Sequence, residues 1–485
     1  MRRTGAVGGA LAVAWALQST LGVLGSVFPP PPLVVNALLA ALAFVATDAF
    51  IIAMAPTFEK AGLFGIDLNK RETKRDAGGQ LVRPYQGPKV PEAMGAVACT
   101  VYLVCMFIFV PFPFLHDYAS WGASSEGGGG WGRSVDAPAS GRLFGGLGVA
   151  QPKATTAPLA YHFPHAHLSK FLCALLAICC MCFLGFADNV LDLRWRDRLW
   201  LPLAASLPLL VVYAVDGGGT VIVLPRLLVP LLGPSMQLGL AYYAFMACLA
   251  IFCTNSINIL AGVNGLESGQ AVVIAITVLL NNAIQLYRWP DGPLHDNNLF
   301  SLYLLLPFLG SSLALMRHNW YPSKVFVGDT YCYFAGMTFA VAAILGHNTK
   351  TVLLFFIPQV VNFVYSVPQL FRIIPCPRHR MPGFMPAEDK LCNSFTECEP
   401  SELGLAGRTI LWACDTFHLA KVERRAGTST VRLSNFTIIN FVLFAAGPMH
   451  EERLTIVLLL IQVCCNAFAL FVRYQLAGLF YDVVR

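Results

Sequence analysis

Five stretches of this chain carry side chains suited to phosphate chemistry. The densest runs from Asp188 and Asn189 through Asp192 to Arg194, Arg196 and Arg198, between the apolar runs Phe171 to Phe186 and Leu199 to Val215. Asp188 and Asp192 are four apart and share one face if the segment is a helix end. Carboxylates beside guanidinium groups at the edge of a membrane-length segment suit a divalent cation and a phosphate at a bilayer surface. The same charges would also serve simply to cap two membrane helices. A second stretch holds Asn255, Asn258, Gly262, Asn264 and Gly265 at the end of another apolar run. Amides there need partners, because unsatisfied polar groups near hydrocarbon are costly. Neighbouring helices would provide them, and so would a metal with a polar ligand. The glycines allow the close backbone approach that a nucleotide needs. A third stretch places Phe326 and Gly328 just before Asp329, which opens an apolar run with no other acid. An ionisable group in that position is a functional candidate. Phe326 is either a stacking surface for a base or ordinary packing. The first polar loop contributes Asp67, Leu68, Asn69 and Lys70, then Pro91 and Glu92, although solvation alone would explain its charge. The last stretch is Pro375 to Arg380, in which Arg378 and Arg380 flank His379. Guanidinium forks fit diphosphate oxygens, and a juxtamembrane basic patch would also bind anionic lipid.

As a set, these are acids for Mg²⁺, arginines for phosphates, and glycines with an aromatic ring for a nucleoside. Mg²⁺ typically takes one or two carboxylates and completes its shell with substrate phosphates. The set therefore fits Mg²⁺-assisted phosphoryl transfer from a nucleotide, and the neighbouring membrane suggests a lipid acceptor.

Membrane helices must position these residues. The 485-residue chain is 56% hydrophobic and only 12% charged, with a mean hydropathy of +0.61, whereas soluble proteins carry about 25% charged residues. The fold class is an all-α polytopic membrane protein. About ten runs are long enough to cross roughly 30 Å of hydrocarbon as helices, near 33–56, 94–116, 168–187, 199–216, 237–257, 268–287, 299–316, 329–347, 351–372 and 453–476. With ten spans, the segments 57–93, 188–198, 258–267, 317–328 and 373–452 share one side. The first of these holds seven Lys and Arg, and the longer opposite loop 117–167 holds three. The positive-inside rule puts the first set in the cytosol, and with it nearly every constellation described above. Because they gather at one face, the polar residues are not expected to run through the midplane, which argues against a transporter. Residues 1–32 read as a targeting or extra hydrophobic segment, with Arg2 and Arg3 ahead of an uncharged apolar stretch. The Gly-rich part of 117–165 reads as a linker on the opposite side. A net charge of +6 spread over the loops suggests membrane lipid and no nucleic acid as a partner. Of fifteen cysteines, many lie in apolar runs, Cys99 and Cys182 among them, and are expected to be buried thiols.

The stretches FADNVLDLRWR, CTNSINILAGVNGLESGQ, HNWYPSKVFVGDTYCYFAGM, IPCPRHR and RYQLAGLFYDV, in this order, resemble the eukaryotic UDP-GlcNAc:dolichyl-phosphate N-acetylglucosamine-1-phosphate transferases, from roughly residue 33 to the end. The resemblance implies a ten-helix fold in the endoplasmic reticulum membrane with its active site facing the cytosol. It also implies Mg²⁺ as cofactor, UDP-GlcNAc and dolichyl phosphate as substrates, and a small strand-and-helix sugar-recognition subdomain in 373–452. Carried over by motif, Asn258 and Asp329 resemble the Mg²⁺ ligands. Asn264 and Phe326 resemble the uridine contacts, with Leu68 nearby; Arg378 and Arg380, with His379 between them, resemble the diphosphate and sugar contacts. Asn255 and Gly262, in the second of these stretches, and Lys70 and Glu92, in the first polar loop, are further substrate-binding candidates. Asp188 matches the first of the family's paired aspartates and, with Asn189, Asp192 and Arg198, makes the catalytic set.

Two departures stand out. Asn189 occupies the place of the usual second aspartate, and Arg198 stands where many relatives have lysine. An amide keeps a carboxylate's shape without its charge, so a catalytically weak regulatory homologue is the second reading. A nucleotide-sugar transporter is the third. A homodimer is compatible with the sequence, which shows no oligomeric state. The sequon at Asn435 falls in a segment assigned to the cytosol and is expected to be unused.

Overall fold

The computed structural model describes residues 31–78, 80–115, 164–191, 193, 197–216, 218–224, 226, 229–377, 380–424 and 430–481. Residues 1–30, most of the 117–165 loop, and the candidate residues Asp192, Arg378 and His379 lie outside them. The ten apolar runs all fall on helical segments. In chain order the principal helices are α1 (Pro32–Lys60), α2 (Gly95–Phe109), α3 (His165–Leu191), α4 (Asp197–Val215), α5 (Leu240–Ile259), α6 (Leu266–Arg288), α7 (Pro293–Asn319), α8 (Gly328–Leu345), α9 (Ile357–Leu370), α10 (Leu405–Thr416), α11 (Ile438–Ala446) and α12 (Glu451–Phe471). Among the described residues, seven helical segments are long and apolar enough to cross a membrane, beginning at Pro32, Gly95, His165, Leu240, Leu266, Pro293 and Glu451.

The bundle is built around α8. Its sequence is apolar on every side and rich in Ala and Gly, and all residues from Thr330 to Leu345 are buried, as an all-round apolar helix requires. It packs on α2, α3, α5 and α7, and small residues let the backbones approach closely. At Gly185 of α3 a Cβ would stand 2.7 Å from the Thr330 Cα, so only glycine fits. This crossing brings the end of α3, with Asp188 and Asn189, onto the start of α8.

Short strands arrange the polar loops. β1 (Phe64–Ile66) and β2 (Lys89–Pro91) pair antiparallel. The backbone continues beside them, because Phe326 N donates to Pro91 O (2.8 Å) and Met94 N to Phe326 O (3.1 Å). A second hairpin, β3 (Val221–Val223) with β4 (Ser235–Gln237), follows α4. The segment 373–452 forms the expected small mixed subdomain. It contains the hairpin β5 (Gly383–Met385) and β6 (Lys390–Cys392), a sheet in which β9 (Val431–Ser434) lies between β7 (Phe395–Cys398) and β8 (Val422–Arg424), and α10 over a core of Ile374, Cys414, Ala420, Leu433 and Phe436.

Two expectations are corrected. Cys99 of α2 and Cys182 of α3 form a disulfide; a separation of 83 residues gives no hint that the two helices meet. Polar residues also do run through the middle of the bundle. Gln359 of α9 donates to both Gln270 of α6 and Gln462 of α12 (2.7 Å each). Asn466 links Gln462 to Thr277, at 2.8 Å from each. One turn further along α6, Asn281 bonds the Tyr474 hydroxyl (2.9 Å). The amides bond one another across helices, which stabilises such packing by about 0.6 kcal/mol per bond.

The sequon is structural. Asn435 is 1% exposed, and its amide accepts from Gln369 Nε2 (2.8 Å) and Thr396 Oγ1 (2.6 Å) and donates to Ser394 Oγ (2.8 Å). A glycan there is incompatible with the folded subdomain, so mass spectrometry of the purified protein is expected to find the Asn435 peptide unmodified.

Candidate active site

At the junction of α3, α5 and α8 two carboxylates share one guanidinium. Arg198, at the start of α4, places Nη2 3.0 Å from Asp188 Oδ1 and Nη1 3.5 Å from Asp329 Oδ2. Asp188 is buried and held from three sides. Besides Arg198, the Leu193 N–H (3.0 Å) donates to Oδ1 and the Tyr333 hydroxyl (2.9 Å) donates to Oδ2. Asp329 is more open, with its side chain 21% exposed, and its Oδ1 accepts from Asn258 Nδ2 at 2.7 Å. Asn189 turns to the start of α8, where its Oδ1 accepts from the Thr330 N–H (3.0 Å) and Thr330 Oγ1 (2.7 Å). Gly328 has φ +70°, and a Cβ there would lie 2.8 Å from Asn189 Oδ1. The backbone entering α8 therefore rests directly on the Asn189 amide. Asn255 donates to Ile251 O (2.9 Å) and the Arg198 carbonyl (3.5 Å), which ties α5 to the segment bearing Arg198.

The remaining loops form an adjoining group. Asn264 donates from Nδ2 to Asp67 Oδ2 (2.9 Å), and its N–H donates to Glu451 Oε1 (2.8 Å). Lys70 reaches across to the Ser323 carbonyl (3.0 Å). The Leu68 carbonyl accepts from Arg75 (2.8 Å). Phe326 is half-buried with its ring edge on Gly65, where a Cβ would stand 2.9 Å from it, and the Glu92 carboxylate is 3.5 Å from that same point. Burial pushes the Glu92 carboxyl above its ordinary range. Gly262 has φ +105°, donates its N–H to Glu267 Oε1 (2.9 Å), and leaves room for Met381. The Arg380 segment therefore reaches this turn. Arg380 Nη1 bonds the Phe436 carbonyl (3.4 Å), and burial lowers the pKa of its guanidinium, an effect a bound anion would offset.

The donor set fits Mg²⁺. Two carboxylates and one guanidinium leave a net charge of −1, and Asp329 with Asn258 offers one carboxylate and one amide at a partly open point. Among the described residues, no three His, Cys, Asp or Glu side chains converge on a metal position. One carboxylate and one amide are the kind of small protein share Mg²⁺ takes where substrate phosphates complete its shell.

A family model described as glycosyl transferase family 4 matches residues 171–347, which include every described member of the Asp188–Asp329 cluster. Over 454 residues the chain is 41% identical to the UDP-N-acetylglucosamine--dolichyl-phosphate N-acetylglucosaminephosphotransferase of Schizosaccharomyces pombe, covering 93% of this chain and 94% of that protein. The chain belongs to glycosyl transferase family 4. The proteins with the same description from Saccharomyces cerevisiae (41% identity, 92% and 93% covered) and Dictyostelium discoideum (39%, 88% and 86%) extend the match along nearly the whole chain. The family 4 match ends before the 373–452 subdomain.

Several residues of this cluster and of the adjoining group carry a role that the sequence does not announce. Tyr333 and Thr330 follow Asp329 within one helical turn, but only the α3–α8 crossing gives them partners. Glu451 opens an apolar run just as Asp329 does, and that signal was present. Asp67 was visible in the first loop, yet its role of orienting Asn264 spans 197 residues.

Proposed function

We propose that this chain transfers GlcNAc-1-phosphate from UDP-GlcNAc to dolichyl phosphate at the cytosolic face of the endoplasmic reticulum membrane. The products are GlcNAc-diphosphate-dolichol and UMP. One observation carries the proposal: the convergence of Asp188, Arg198, Asn258 and Asp329 at the edge of the bundle, in a chain 41% identical along nearly its whole length to proteins described as this enzyme. A dolichyl phosphate oxygen forms a bond to the β-phosphorus, and the bond from that phosphorus to the bridging oxygen breaks, so that UMP leaves. A phosphate monoester is already largely ionised near pH 7, so no strong base is needed. Asp188, fixed by Tyr333 and Leu193, orients the acceptor and takes up any remaining proton. Asn258 and Asp329 would hold Mg²⁺, which when bound offsets charge on the diphosphate. Arg198 and Arg380 contribute fixed positive charge to the same end, as phosphoryl transfer requires. Asn264, held by Asp67 and Glu451, and Phe326 on Gly65 make the nucleoside end.

The test is transfer of labelled GlcNAc-1-phosphate to dolichyl phosphate by purified protein, with and without Mg²⁺ and tunicamycin. The expected result is product that requires Mg²⁺ and is blocked by tunicamycin. Folded protein that binds UDP-GlcNAc and forms no lipid-linked product would favour the regulatory reading.

A further inference from the structure

The outward face of α10 has the wrong chemistry for water. Leu405 and Trp412, two turns apart, lie on the same side of the helix, opposite the buried Gly407 and Cys414. Thr409 and Thr416 complete that side, which carries no charge along its centre. Leu405 is 86% exposed and Trp412 61%. The chain leaving α10 continues the pattern with Phe417 at 64% and Leu419 at 43%. A helix on a water-exposed domain normally turns polar residues outward. An apolar stripe with Trp, Phe and Leu on the surface instead marks something that covers it.

The packing against α9 indicates what that is. The Tyr365 hydroxyl of α9 donates to the Leu419 carbonyl at 2.6 Å. Tyr365 lies five residues before the end of α9, about 7.5 Å along a helix, so the 417–419 turn sits alongside the body of that helix. The outward residues of α9 are themselves apolar and exposed: Val361 at 50%, Val364 at 62%, and Phe371 just past its end at 69%. The α10 stripe thus continues the exposed apolar surface of a helix that belongs to one of the ten apolar runs. Trp412 and Phe417 are in edge-to-face contact with ring centroids 6.0 Å apart, an arrangement that presents two broad rings together. Aromatic rings of this kind are enriched where a protein meets the headgroup layer.

We infer that α10 and the 417–419 turn rest in the bilayer interface, so that the 373–452 subdomain is docked on the membrane surface by Leu405, Trp412, Phe417 and Leu419, as interfacial amphipathic helices dock. The subdomain, which the chain already joins to α9 on one side and α12 on the other, is then tied to the membrane through α10 as well, and Arg380 lies in the chain between α9 and α10. The inference does not depend on the transferase activity.

The experiment uses the full chain in lipid nanodiscs, comparing tryptophan emission in phosphatidylcholine with emission in phosphatidylcholine brominated at mid-chain. The wild type minus Trp412→Phe difference isolates Trp412 from the other seven tryptophans. Adding Phe417→Trp in the Trp412→Phe background gives a second probe on the same face. At least a twofold lower emission of each probe in brominated lipid is expected. Equal emission of both probes in the two lipids would overturn the docking. Protection that appears only when two copies share a disc would overturn it too, by assigning the stripe to a second copy.

Discussion

Asp329→Asn is expected to lower the turnover of GlcNAc-1-phosphate transfer about 10²- to 10³-fold, the range seen when one electrostatic contact to a developing charge is lost. The amide has the shape of the carboxylate and still accepts from Asn258 Nδ2 at the position where Asp329 Oδ1 now stands. The start of α8 is held through Thr330 by Asn189 and not through the Asp329 side chain. The substitution therefore leaves the local fold in place and removes one charge. The cluster of Asp188, Asp329 and Arg198 goes from a net charge of −1 to neutral, while Arg198 keeps its 3.0 Å contact with Asp188 and its bond to the Leu193 carbonyl. A neutral cluster no longer attracts a divalent cation, so the Mg²⁺ concentration giving half-maximal activity should also rise. Initial rates over an Mg²⁺ titration, with thermal unfolding of both proteins run in parallel, provide the check. Turnover within threefold of wild type at saturating Mg²⁺, in a variant of unchanged stability, would remove Asp329 from the chemistry.

The parts legible in the sequence were those in which one residue conflicts with its own surroundings. Asp329 opening an apolar run and Asp188 closing one announce themselves, because an acid next to hydrocarbon is costly wherever the chain folds. The helices were legible for the same reason, since long apolar runs leave the backbone one way to satisfy itself. The mixed 373–452 subdomain came from resemblance. What the sequence concealed depends on which helices meet. Gln270, Gln359 and Gln462 each look like a lone amide on a separate helix, and only the packing of α6, α9 and α12 makes them a ladder. Cys99 and Cys182 look like two buried thiols until α2 and α3 are side by side. Asn189 looks like a lost acid when set against the paired aspartates of the family it resembles, whereas its partner in space is Thr330, 141 residues away.

That position gives the second large effect. Among the described residues, the bonds Asn189 makes are accepted by its Oδ1, so the acceptor is what the site uses, and a carboxylate or an amide supplies it equally. It caps α8 from a neighbouring helix, satisfying an N–H that a helix start leaves without an intrahelical partner. Asn189→Leu keeps the branching of the side chain and removes the acceptor. It should destabilise the protein by about 1 kcal/mol, the usual cost of a lost cap. It should also free the Thr330 backbone and let Asp329 drift from Asn258, lowering turnover roughly 10- to 100-fold, as loss of an orienting partner does at metal sites. Asn189→Asp keeps both bonds and adds a negative charge near the start of α8, which favours it, but also near Asp188, which opposes it. Its turnover is expected within a few-fold of wild type. Turnover and unfolding temperature of the three proteins separate the roles. A leucine variant as active as wild type would mean the cap does not position Asp329. An aspartate variant more than tenfold faster would mean that a second acid, absent here, takes part in the reaction itself.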